Sequence, residues 1–104
     1  MNDILKKCTE PDDNIYRNIM RFHGHKRQIA KCIEEMAELI TELSKFSVIG
    51  ADNTVEIKSE IADVGNILVQ MRILFDSKNE IPGIMYAKMK REQRRIMEGN
   101  YGND

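Results

Sequence analysis

Apolar side chains recur along this chain at alternating steps of three and four residues, the spacing that lines one face of an α-helix. Ile15, Ile19 and Phe22 mark a first short face. Pro11-Asp12-Asp13 precedes it and reads as a helix start, because proline and acidic residues suit a first turn. His23-Gly24-His25 reads as a break. Ile29, Cys32/Ile33, Met36, Ile40 and Leu43 then predict a second helix over about 26–46. A polar stretch around Gly50 follows, and Asn53-Thr54-Val55-Glu56 has the form of a capping box. Ile57, Ile61, Val64, Leu68 and Met71 predict a third helix over about 54–75. Residues 76–80 are polar, Pro82-Gly83 punctuates, and a basic last helix is expected over about 84–97. Residues 1–11 and 99–104 read as frayed ends of one domain spanning 1–104. Four helices with short connections predict an all-α, four-helix bundle-like fold.

Composition narrows the class of partner. Sixteen basic residues against seventeen acidic ones leave a formal charge of −1. So even a balance gives no reason to expect nucleic acid or a membrane surface as partner. No apolar run approaches the roughly 20 residues of a transmembrane helix. The first residues, Met1-Asn-Asp-Ile-Leu-Lys-Lys, lack the apolar core of a signal peptide. Cys8 and Cys32 show no framework spacing, so reduced thiols and a cytoplasmic setting are expected.

The candidate chemistry lies in two acidic pairs, Glu35-Met-Ala-Glu38 and Glu60-Ile-Ala-Asp63, one on each long helix. A spacing of i,i+3 puts both acids of a pair on one side of a helix. At about 100° per residue, Glu60 and Asp63 interleave with Ile67 and Leu74 and so point toward the core. Glu35 and Glu38 sit at the edge of the apolar stripe, Glu38 furthest toward solvent. An ionised acid among apolar side chains costs several kcal/mol unless something compensates. A hard divalent cation held by oxygens would do so; a basic neighbour or a raised pKa would serve as well, and many acidic helix faces are simply solvated. The Glu-x-x-His signature of di-iron bundles is missing, and an all-oxygen set favours Mg²⁺ or Mn²⁺ over zinc or iron.

The string Ile33-Glu-Glu-Met-Ala-Glu-Leu-Ile40 followed by Glu60-Ile-Ala-Asp-Val64 resembles the all-α nucleoside triphosphate pyrophosphohydrolases of the MazG-like superfamily. Glu35, Glu38, Glu60 and Asp63 match the family's E-x-x-E, spacer, E-x-x-D pattern, with a spacer of 21 residues from Leu39 to Ser59. The resemblance covers about residues 26–75. It implies Mg²⁺-dependent hydrolysis of a (deoxy)nucleoside triphosphate to the monophosphate and pyrophosphate, as nucleotide-pool housekeeping, by a homodimer or homotetramer. The four acids would then be metal ligands, with Glu34 or Glu35 taking a proton from the attacking water.

Further residues are weaker signals. Gln28 resembles a glutamine that often precedes the acidic pair in the family and is placed to contact nucleotide, or is a plain surface amide. Asn66, one turn after Asp63, offers donor and acceptor to a base or ribose, or packs between helices. Lys88, Arg91 and Arg95 share one side of the last helix; they suit a triphosphate, the acids of a neighbouring subunit, or plain solvent. The competing reading of the whole chain is a non-catalytic helical module that binds nucleotide or another protein.

Overall fold

The computed structural model describes residues 12–99, and these form four α-helices and no strand. We number them α1 (Asp13–His23), α2 (His25–Ile49), α3 (Thr54–Phe75) and α4 (Ile81–Met97). The all-α class is as the periodicity predicts. The expectations for residues 1–11 and 100–104, and for Cys8, lie outside the described residues.

Local chemistry explains the boundaries. Asp12 caps α1, its carboxylate accepting from the Ile15 backbone N–H at 3.1 Å. Gly24 separates α1 from α2 with φ +86°, a value that L side chains rarely adopt, while its N–H still bonds the Met20 carbonyl. Gly50 ends α2 in the left-handed conformation of a helix C-terminus. The start of α3 departs from expectation. The Asn53 side chain makes no capping bond; its Nδ2 donates to the Glu42 carbonyl at 2.9 Å and to Glu42 Oε2 at 2.6 Å. The capping-box residue therefore ties the α2–α3 hairpin shut instead. Asp76 takes the capping role for α4, with its two carboxylate oxygens accepting from the N–H groups of Glu80 and Ile81.

α2 and α3 form the main packed pair, and α1 lies against both. Three side-chain pairings set an antiparallel register: Gln28 against Gln70, Glu35 near Glu60, and Glu42 against Asn53. The buried positions of α2 are Gln28, Cys32 and Glu35, with Leu39 and Glu42 half-buried. Of the predicted apolar stripe they include only Cys32. Ile29, Ile33, Met36, Ile40 and Leu43 are all exposed, Ile33 and Ile40 at 63%. On α3, Ile67 and Gln70 are buried, whereas Ile61, Leu68 and Phe75 face solvent.

The small core consists of Tyr16, Met20, Cys32 and Ile67. α4 contributes nothing to it: none of its residues is buried, and it makes no substantial packing contact with the other three helices. The expected bundle of four is thus, within one chain, a packed group of three with the fourth helix leading away. No described helix is long and apolar enough to cross a membrane.

Ile67, at 3% exposure, is the most buried apolar side chain of that core. Truncating it to alanine is expected to lower unfolding stability by about 2–5 kcal/mol. Urea denaturation of Ile67→Ala measures this, and an unchanged midpoint would contradict the α1–α2–α3 core.

Candidate metal centre

Because α2 meets α3 along its acid-bearing edge, carboxylates from both helices converge. Glu35, Glu38 and Glu60 each place a carboxylate oxygen within 4.8 Å of the others. Glu35 is buried, Glu60 half-buried and Glu38 exposed. Glu35 and Asp63 thereby reverse the burial read from helical phase, which put the α2 pair toward solvent and Glu60 with Asp63 toward the core; exposed Glu38 and half-buried Glu60 accord with it. That reading assumed the strongest apolar stripe faces the partner helix, and here it does not. Asp63 is exposed and stands outside the three-acid cluster.

Two oxygens of the cluster, Glu35 Oε2 and Glu60 Oε2, are buried without a hydrogen-bond partner. Leaving buried carboxylate oxygens unpaired is costly, and a cation between them would remove the cost. The one ion pair at the cluster is Lys31 Nζ with Glu35 Oε1 at 3.0 Å, one helical turn apart. That contact raises the Lys31 pKa, through its hydrogen bond to Glu35 and then the Glu35 charge. Glu38 is also raised, first by the charge of Glu35, then by partial desolvation and by the charge of Glu60. Glu42, one helical repeat further on, is lowered by its hydrogen bonds to Asn53 and Lys45. Glu42, outside the cluster, has partners of opposite or neutral charge; Glu38 and Glu60 inside it mainly face other acids. The donor set is all oxygen, the kind that could hold a hard divalent cation.

A cavity of about 440 Å³ opens beside the cluster. Its walls come from α1, α2 and α3 and include His23, Arg27, Gln28, Lys31, Glu34, Glu35, Asp63, Asn66 and Gln70. It therefore places Glu35 on both sites and brings Gln28 and Glu34 from α2 and Asp63 and Asn66 from α3 to one cavity. Two of these amides are held by other side chains. Gln28 Nε2 donates to Gln70 Oε1 at 2.7 Å, and the Tyr16 hydroxyl donates to Asn66 Oδ1 at 2.9 Å.

Lys88 and Arg91 lie along a separate surface of α4, and no α4 residue, Arg95 included, lines the cavity. Reading the sequence did not single out Tyr16, Lys31 or Gln70. Lys31 was findable from its i,i+4 step to Glu35. Tyr16 and Gln70 carry no local signal, since their partners lie 50 and 42 residues away.

The described residues thus define an all-α protein with a carboxylate cluster between two antiparallel helices and a polar cavity alongside. Set against protein-family models, curated proteins and solved structures, the chain matches none.

The Glu38 shift has a definite sign in EDTA. A folded-state pKa raised above the ordinary 4.5 means that the folded protein holds its proton more tightly than the unfolded chain does. Its effect on stability is most favourable below 4.5 and is lost as pH rises through the raised value. Glu38→Gln is therefore expected to unfold at a higher temperature than the parent at neutral pH. The two melting curves should converge as pH falls toward 4.5 in circular dichroism.

Proposed function

We propose that this protein is a Mg²⁺-dependent nucleoside triphosphate pyrophosphohydrolase of the MazG-like kind, releasing pyrophosphate and a nucleoside monophosphate. The observation that carries the reading is the cluster of Glu35, Glu38 and Glu60 beside a cavity large enough for a small ligand. The E-x-x-E and E-x-x-D spacing in the sequence supports it independently.

In this reading Glu35, Glu38 and Glu60 hold the ion, and Asp63 completes the set from the cavity wall. A bound Mg²⁺ or Mn²⁺ supplies neutralisation of the charge on the phosphate oxygens. Glu34 is an exposed carboxylate lining the same cavity and accepts the proton of the attacking water, with Glu35 as the alternative base. Asn66 and Gln28 present amides to the base or ribose, each steadied by a second side chain.

The protein acts as a homodimer or homotetramer in the cytoplasm. Support for assembly comes from the apolar side chains of α2 and α3 that stand exposed, such as Ile33, Ile40, Ile61 and Phe75. It comes also from α4, whose Lys88, Arg91 and Arg95 do not line the cavity beside the acids and would meet a triphosphate held by a neighbouring copy.

The test is pyrophosphate release from a panel of canonical and damaged deoxynucleoside triphosphates with Mg²⁺. Release is expected, and EDTA should abolish it. Glu60→Gln or Asp63→Asn should reduce turnover by more than the roughly 10–100-fold typical for loss of an outer partner of a metal ligand. Circular dichroism should show both variants folded. If no triphosphate is cleaved while the protein still binds nucleotide or another protein, the non-catalytic module is the correct account.

A further inference from the structure

Lys31 belongs to both sites at once. Its ammonium sits 3.0 Å from Glu35 Oε1, and its side chain also lines the cavity beside Asp63 and Asn66. The two partners of the ion pair differ in freedom. The Glu35 side chain is 9% exposed and cannot leave the helix interface, whereas that of Lys31 is 53% exposed on a flexible four-carbon stem. Glu35 also carries an unpartnered buried oxygen, as does Glu60 across the interface. A divalent ion satisfying those oxygens brings two positive charges next to the Lys31 ammonium, and the pair with Glu35 is then no longer favourable. One direction within reach of that ammonium is the cavity that Lys31 helps line, with Arg27 and His23.

We propose that Lys31 is an exchangeable counter-ion: it neutralises Glu35 until a divalent cation takes the cluster, then turns into the cavity to hold a phosphate group of the ligand. The second half rests on the nucleotide-hydrolysis reading above; the first half needs only the cation site. Lys31 is in this account a positioning residue that links occupancy of the cluster to affinity for phosphate. An ammonium suits that role, because it is a compact charge with three donors and no fixed fork to realign.

The exchange is tested with Lys31→Met, which keeps the stem and removes the charge, against Lys45→Met, which removes an equivalent lysine paired to Glu42 outside the cluster. Calorimetric titration of the full chain with Mn²⁺ should show Lys31→Met binding about threefold to fivefold more tightly than the parent, the scale of one exposed ion pair. Titration of the Mn²⁺-saturated protein with inorganic pyrophosphate should show about tenfold weaker binding for the same variant. Lys45→Met should change neither.

Unchanged or weaker Mn²⁺ affinity in Lys31→Met would overturn the exchange, as would an equal gain in Lys45→Met. Tighter Mn²⁺ with unchanged pyrophosphate affinity would overturn the turn into the cavity. If no triphosphate is hydrolysed by the parent protein, the activity reading fails while the Mn²⁺ comparison still decides the exchange. If the parent binds no Mn²⁺, both fail.

Discussion

The structure depends on which edge of α2 meets α3. α2 carries two parallel seams, one residue out of phase. Gln28, Cys32, Glu35, Leu39 and Glu42 form one, and Ile29, Ile33, Met36, Ile40 and Leu43 form the other. Both repeat at steps of four and three residues, so either could serve as a helix-packing seam. The pair closes on the first, which is polar at every seventh position. Each of those polar residues then needs a partner from α3. Gln28 finds Gln70, Glu42 finds Asn53 just before α3, and Glu35 meets another acid, Glu60. The two outer layers are tied by hydrogen bonds between side chains, although Asn53 Oδ1 stays buried without a partner. The middle one is satisfied in part by Lys31 and otherwise calls for a cation.

The unused seam accounts for the rest of the molecule. With the polar edges turned inward, the apolar stripe of α2, Cys32 apart, and part of that of α3 remain on the surface, and among the described residues four apolar side chains make up the buried core. α4 is started firmly by Asp76 yet makes no substantial packing contact with the other described helices. A helix of 17 residues gains little from its own hydrogen bonds in water and draws its stability from packing. Exposed apolar stripes and an unsupported helix in one chain express the same shortage of internal partners.

The sequence shows which segments are helical, because helix formation is written in local spacing and in punctuation such as Gly24 and Gly50. The bounds of α3 agree with the expectation from periodicity; α2 and α4 each begin or end a turn or less from theirs. Which face is buried was not legible, because hydrophobicity alone favours the apolar seam. Choosing the polar one depends on pairings across 42 and 50 residues, and on the Asn53–Glu42 tie that replaces a helix cap. The acidic pairs were visible by motif, but their burial was not: Glu35 is inside because of the seam, and Asp63 is outside for the same reason. Lys31 and Tyr16 matter only through neighbours that folding brings to them.

The central claim is that the middle layer of the α2–α3 seam is a divalent-cation site. Thermal unfolding of EDTA-treated protein titrated with Mg²⁺ tests it most directly. Selective binding to the folded state stabilises by about 2.7 kcal/mol at a hundredfold excess over the dissociation constant, so the melting temperature should climb with Mg²⁺. In a Glu35→Gln, Glu60→Gln double variant the climb should vanish, and the melting temperature without Mg²⁺ should equal or exceed that of the parent. No response in the parent, or an equal response in the double variant, would contradict the account.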